Sequence, residues 1–313
     1  MGLPSVAVVG GGIVGRTAAL ELRHAGHAVT VITADSPEQT TSAKAAALVM
    51  PFAAQPADRI AAWTVRGVER LAGMLGDAAT GVRLVRGHEI HRGGSRPELD
   101  WASFAPDATE GPAPEDFPGG ISSVVSATMP LVDTSYHLSW LRRTGAEAGV
   151  RELMLRIDSV DAAFEHGDLV VLATGLGTNA LVPEAGLYPV QGQVVRVANP
   201  GGVPWLIDPD NPAGLLYVIP RIDEVVIGGT HVVGEYSVEP DPAVEAAIIA
   251  RASEFFPWLA DAPITSRAVG LRPGRDAVRL ERIGDVIHCY GHGGSGVTIA
   301  FGCAEEVVAL AAR

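Results

Sequence analysis

The first apolar stretch of the chain, Ser5 to Val9, is short and β-branched, with no polar position inside Val6 to Val9, the pattern of a fully buried strand. It stops at Gly10-Gly11-Gly12, and apolar positions then recur at helical spacing from Val14 to Ala25, where Gly26 closes the run. His27 to Thr33 returns to strand character. The unit therefore reads strand, glycine turn, helix, strand, with Gly10, Gly12 and Gly15 in the spacing Gly-x-Gly-x-x-Gly. Gly10 permits the tight turn, Gly12 lets a pyrophosphate approach the backbone, and Gly15 lets the helix pack close to the strand. Ile13 and Val14 then supply amides at a helix N-terminus, where negative charge is favoured. Asp35 lies 20 residues beyond Gly15, placed either to bond ribose hydroxyls or to cap the turn before Pro37.

Further along, the period changes. Leu169 to Leu172 is another buried-strand run, and Tyr136 to Gly149 is apolar at helical spacing, as a helix packed on the first sheet would be. Strand-like runs at 188–197, 215–219 and 224–230 follow one another across turns without intervening helices, which predicts an antiparallel sheet. Residues 91–119, rich in Gly, Pro, Asp and Glu, read as an exposed excursion. Near the end, a glycine run from Tyr290 to Thr298 opens onto a last helical pattern.

Charge and composition narrow the partners. With 36 acidic against 23 basic residues, the net charge of −13 carries no footprint for nucleic acid or an anionic membrane surface. No apolar run approaches the roughly 18 residues that would cross a bilayer, and no basic region precedes an apolar signal core, so a cytoplasmic location is expected. Cys289 and Cys303 cannot make a disulfide framework, and the histidines show no metal-ligand spacing, so no metal is expected. Lys44 is the one lysine in 313 residues.

Against this acidity, VGLRPGRDAVRLER (269–282) gathers Arg272, Arg275, Arg279 and Arg282. Their spacing would suit a helix stripe, but Pro273 and Gly274 interrupt it. Arg272 is thus set apart from the other three, and Arg279, between Val278 and Leu280, alternates as a strand residue does.

The glycine fingerprint does not separate FAD from NAD. The segment after Asp35, TTSAKAAALVMP, resembles the flavin-contacting segment of the D-amino-acid oxidase family, and the likeness continues in order. LVVLATGLGT (169–178), YPVQGQVVRV (188–197), YVIPR (217–221), VVIGGT (225–230), VGLRP and YGHGGSGVT (290–298) are each similar to successive motifs of that family, with Gln191 standing where the family has arginine. The resemblance implies an α/β fold: a Rossmann-like FAD-binding domain interleaved with a substrate domain on a mixed or antiparallel sheet, the p-hydroxybenzoate-hydroxylase-like arrangement. Residues 1–51, 137–187 and 276–313 would form the FAD domain, and 52–136 with 188–275 the substrate domain.

The resemblance also implies the chemistry. The family passes hydride from a D-amino acid to FAD, and dioxygen reoxidises the flavin to give hydrogen peroxide. Arg272 matches the arginine that binds the α-carboxylate, Tyr217 the tyrosine that helps it, and Gly294 the backbone carbonyl that accepts from the substrate amine. His231 falls where some members carry a second active-site tyrosine and serves either the substrate or the structure; Arg221 faces either pocket or solvent. For the flavin the implied contacts are Gly10, Gly12, Ile13, Val14, Gly15, Asp35, Thr41, Ser42, Ala46, Ala47, Leu48, Ile157, Thr174, Gly175, Gly293, Gly294, Gly296, Val297 and Thr298. His292 is a structural residue on this reading, because hydride transfer from a neutral amine needs no general base. The stretch from Trp205 to Tyr217 is shorter than the lid of vertebrate members, and a homodimer is a family-level expectation. Alternatives are a glycine or sarcosine oxidase of the same superfamily, or a flavin- or nicotinamide-binding protein without oxidase activity.

Overall fold

The computed structural model describes residues 2–52, 54–93 and 101–313. Among these residues the strands form two sheets of six and nine members. In the smaller, Val6–Val9 lies centrally between Val29–Thr33 and Leu169–Leu172, parallel to both and in full register with each. Arg151–Met154 extends one edge, and the antiparallel pair Arg279–Ile283 and Val286–Tyr290 extends the other.

Both faces of this sheet are covered, which is why its central strands read as unbroken apolar runs. Val6, Val8, Val29 and Val31 pack beneath the helices Ile13–His24, Ala57–Ala72 and Gly296–Ala311, while Ala7, Val9 and Ile32 pack against Val182, Ala185 and Leu187. A helix, Thr134–Ala148, forms where the periodicity predicted one, but Leu138 and Leu141 pack it on the first helix beside Ile13 and Leu20 instead of on the sheet itself. The helix Ala57–Ala72 falls in the stretch assigned by sequence to the second domain. Its Ile60 and Trp63 nevertheless belong to the core of the first sheet, because that helix buries its apolar face against the C-terminal helix.

The larger sheet is mixed and mainly antiparallel, led by the long strands Val82–His91, Ser123–Val132, Tyr188–Ala198 and Ile264–Gly274. The helix Pro242–Phe255 covers its far face through Ile248, Ala252 and Phe255. Its near face turns toward the first sheet. Part of 91–119 corrects the expectation of an exposed excursion: Trp101 and Ala105 are buried, and Trp101 meets Trp205 edge to face at 5.9 Å. These apolar groups complete the near-face core; residues 94–100 of that stretch lie outside the described residues. No helix among the described residues is long and apolar enough to cross a membrane.

Candidate functional site

A cavity of about 1370 Å³ runs between the two sheets. At one end the first strand terminates at Gly10, whose φ of +123° is a left-handed value that side chains resist, and whose Cα faces the Ala173 carbonyl too closely for a Cβ. The following helix starts at Ile13 with a glycine N-cap and no acidic residue in its first turn. Its amides therefore face the cavity with no acid of the first turn beside them, the arrangement that receives a phosphate. Ser42 braces the turn by accepting from the Ile13 amide at 3.0 Å, and Arg16, buried behind it, donates Nε to the Gly11 carbonyl at 2.7 Å while pairing with Glu152 at 2.8 Å.

A second helix N-terminus, at Gly296, faces the same cavity from the other end of the sequence, again without an acidic first turn. It is stitched to 50–52: Ser295 Oγ donates to the Phe52 carbonyl and accepts from the Phe52 amide, and Thr298 Oγ1 donates to the Met50 carbonyl at 3.0 Å. Between these ends lies Ala47, the one described non-glycine residue with positive φ, at 65°. Arg221 holds this segment from behind. It is fully buried outside the cavity lining, donates to the Ala45 carbonyl and to Thr134 Oγ1 (2.7 Å), and pairs with Glu224 at 2.8 Å. Neither alternative for Arg221, pocket or solvent, describes it.

The near face of the large sheet supplies the other wall. Residues directly opposite one another across a sheet share a face. Here the register joins Gly270 to Gly192, Val194 to Gly228, Gly228 to Tyr217, and Tyr217 to Ile207. Arg272, two residues beyond Gly270 on the Ile264–Gly274 strand, falls on this same face. Glycines at 192 and 228 leave bare backbone, and onto it the side chains of Arg272 and Tyr217 lie down; a Cβ on Gly192 would strike the guanidinium, and one on Gly228 the phenol ring. The two side chains thereby come together over the same face although their strands are not neighbours, near enough for the Arg272 charge to act on the phenol. Arg272 Nη1 also donates to the Thr230 carbonyl at 3.2 Å. Desolvation raises the Tyr217 hydroxyl above its ordinary pKa against the opposing pull of Arg272, so it stays a neutral donor at pH 7. These spacer glycines were missed as site residues, because only the strand register reveals what they make room for.

Of the residues expected around the cofactor, Gly10, Gly12, Ile13, Val14, Asp35, Thr41, Ser42, Ala46, Ala47, Leu48, Ile157, Thr174, Gly175, Gly293, Gly294, Gly296, Val297 and Thr298 line this one cavity, together with Tyr217 and Arg272. Gly15 does not; it sits behind the turn, where a Cβ would collide with the Gly10 carbonyl. His231 is also outside the lining, exposed at the mouth and edge to face with Phe52 at 5.7 Å. Desolvation and then the Arg272 charge lower its pKa. His292 lies in the wall, buried and pushed down to about 4, with Cys289 Sγ at 3.9 Å from Nε2. Arg275 lines the cavity but spends its Nε on the Ala185 carbonyl, whereas Arg279 and Arg282 brace the first sheet through Tyr290 and Leu310. Gln191 donates to the Ser237 carbonyl.

The short connection after Trp205–Asp208 is anchored. Asp208 is fully buried and takes a bidentate contact from Arg92 at 2.8 to 3.1 Å, with Asn211 on the same carboxylate at 2.9 Å. Pro209 and Leu215 of this connection line the cavity.

A parallel sheet presenting helix N-termini to a long cavity, closed by an antiparallel sheet with a cationic clamp, defines a dinucleotide-dependent enzyme. The cavity exceeds the range of about 300–1,000 Å³ usual for one small ligand, leaving room for a dinucleotide and a substrate together. Residues 5–310 match the family model described as FAD dependent oxidoreductase. The chain is 40% identical over 309 residues to the D-amino-acid oxidase of Rubrobacter xylanophilus, covering 97% of this chain and 94% of that one. It is 39% identical to the D-amino-acid oxidase of Streptomyces coelicolor, at 98% and 96% coverage. The crystal structure of glycine oxidase from Bacillus cereus ATCC 14579 superposes with a TM-score of 0.79 at 21% identity, covering 99% of this chain and 95% of that one, a likeness of fold. This chain belongs to the FAD-dependent oxidoreductase family, and FAD is its cofactor.

Proposed function

We propose that the protein oxidises D-amino acids to imino acids, which hydrolyse to 2-oxo acids and ammonia, with dioxygen consumed and hydrogen peroxide released. The observation that carries this reading is the Arg272–Tyr217 pair, a cation and a neutral hydroxyl side by side in the same cavity as the two helix N-termini. It is supported by near-full-length similarity to two proteins named D-amino-acid oxidase.

In this reading the first helix N-terminus, with Gly12 and Ser42 beside it, binds the FAD pyrophosphate, and Asp35 receives the ribose. Thr41, Ala46 to Leu48, Thr174 and Gly175 hold the cofactor's length, and Gly293 to Thr298 hold the flavin end. FAD, when bound, supplies the hydride acceptor. Arg272 grips the α-carboxylate through its fork, Tyr217 donates to the same group, and the Gly294 carbonyl accepts from the amine. Three fixed contacts orient one Cα hydrogen, so the residues contribute position and no proton transfer. His292 stays neutral and structural. The two-domain division, a homodimeric assembly and a cytoplasmic location belong to this proposal. Free, buried Cys289 and Cys303 support the location.

Peroxide release by the purified holoenzyme on a panel of D- and L-amino acids, glycine and N-methylglycine tests the reading. Turnover of D-amino acids over their enantiomers is expected; turnover confined to glycine and N-methylglycine, or none, rejects it.

A further inference from the structure

The clamp is held by a residue that never reaches the cavity. Arg251 projects from the Pro242–Phe255 helix on the far side of the large sheet and is only 7% exposed. Its Nη1 donates to the Ala213 carbonyl at 2.8 Å, and its Nη2 to the Leu215 and Gly229 carbonyls at 3.3 and 3.4 Å. The same two chain passes are joined directly, since the Gly229 amide donates to the Leu215 carbonyl at 3.1 Å. Leu215 lies two residues before Tyr217. Gly229 lies one before Thr230, whose carbonyl receives Arg272 Nη1. Arg251 therefore grips the backbone next to both groups that define the clamp, and it does so from behind the sheet.

Its electrostatics point the same way. Among the described residues no carboxylate forms an ion pair with Arg251, and desolvation alone moves its pKa, downward. A buried cation whose Nε has no partner and whose other nitrogens meet only carbonyl dipoles is costly, and an apolar side chain would fill that space more favourably. What an apolar residue lacks is a planar fork that reaches three carbonyls on two chain passes at once.

We propose that Arg251 is a positioning residue for the substrate-carboxylate clamp, fixing Tyr217 and Thr230, and through Thr230 the guanidinium of Arg272. The inference rests on the reading of Arg272 and Tyr217 given above. A lysine carries the same charge but cannot span the three carbonyls, so the two requirements separate.

The test uses FAD-loaded protein and steady-state peroxide release on the best D-amino acid of the panel. Arg251→Lys and Arg251→Met are expected to raise KM about tenfold or more with kcat within about twofold and flavin content unchanged. A KM for Arg251→Lys equal to that of the parent overturns the proposal. So does a parallel fall of kcat, flavin content and melting temperature with KM unmoved, which would mark general support of the fold. If Arg251→Met fails to fold, the lysine variant decides alone. Arg272→Ala, assayed alongside, separates the two levels: an unchanged KM there rejects the clamp itself, whereas a raised KM there with normal Arg251 variants rejects only the positioning role.

Discussion

The two ends of the cavity are built on opposite principles. On the proposed reading the binding groups at the dinucleotide end are backbone amides at helix N-termini, and side chains such as Ser42 and Arg16 hold that backbone still. At the sheet end the groups proposed to hold substrate are side chains, Arg272 and Tyr217, and it is the backbone that steps aside, at Gly192 and Gly228. Glycine thus does contrary jobs in one site: it exposes the chain to a ligand in one place and clears space for a neighbour's side chain in the other. Substitutions at the first end should therefore cost cofactor, and those at the second should cost substrate affinity.

The largest effect is expected at Gly10. Gly10→Val forces a β-branched residue to a φ of +123° and into the Ala173 carbonyl, so flavin content, read from the visible absorbance per protein, should be lost together with several kcal/mol of stability. A variant that retains full flavin would break the contrast. Next, Arg272→Ala should leave flavin content unchanged and raise KM by about two orders of magnitude or more, since losing one partner of a charge-assisted pair costs roughly 2–5 kcal/mol.

Acid should act on the dinucleotide side. His137, stacked on Trp140 at 5.3 Å, and His292 are both buried, and desolvation pushes each down to about 4 from an ordinary value of 6.5. Because the folded pKa is the lower one, the unfolded chain takes up the proton first. The stability each neutral ring contributes is intact above pH 6.5 and lost as the pH falls toward 4, on the order of 3 kcal/mol apiece. Melting temperatures recorded from pH 7.5 to 4.5 should fall steeply below 6.5, and His292→Asn should flatten the curve; an unchanged slope would contradict it. The smallest shift is Tyr217→Phe, which removes one hydroxyl from the clamp and should raise KM about tenfold with flavin retained.

How much could be read from the chain follows the same division. The strand, turn and helix around Gly10 are local, so the pattern from Ser5 to Thr33 carried nearly all the information needed to place that end of the cavity. Arg272 was visible for a weaker reason, its setting before Pro273 within a recognisable motif; in the structure it lies in a strand paired continuously from Ser266 to Gly274, opposite Val190. What local pattern could not supply was the strand register. Register decides that Gly192 and Gly228 lie beneath Arg272 and Tyr217, while long-range packing decides that Trp101 folds inward on Trp205 and that Arg221 and Arg251 serve the site from outside it. His231 shows the limit from the other side: neighbouring the motif in sequence, it ends at the mouth against Phe52.

The seam between 50–52 and 295–298 has a consequence for how the protein is made. Met50 and Phe52 find their hydrogen-bond partners, Thr298 and Ser295, only when the Gly296–Ala311 helix is in place, and the strand before that helix lies beside Leu169–Leu172. During synthesis the glycine turn at Gly10 leaves the ribosome long before the Gly296–Ala311 helix, yet the compartment it serves has no floor until that helix has also emerged. Cofactor capture is thereby postponed until that helix has been synthesised, and a nascent chain stalled before it would remain colourless however long flavin was supplied.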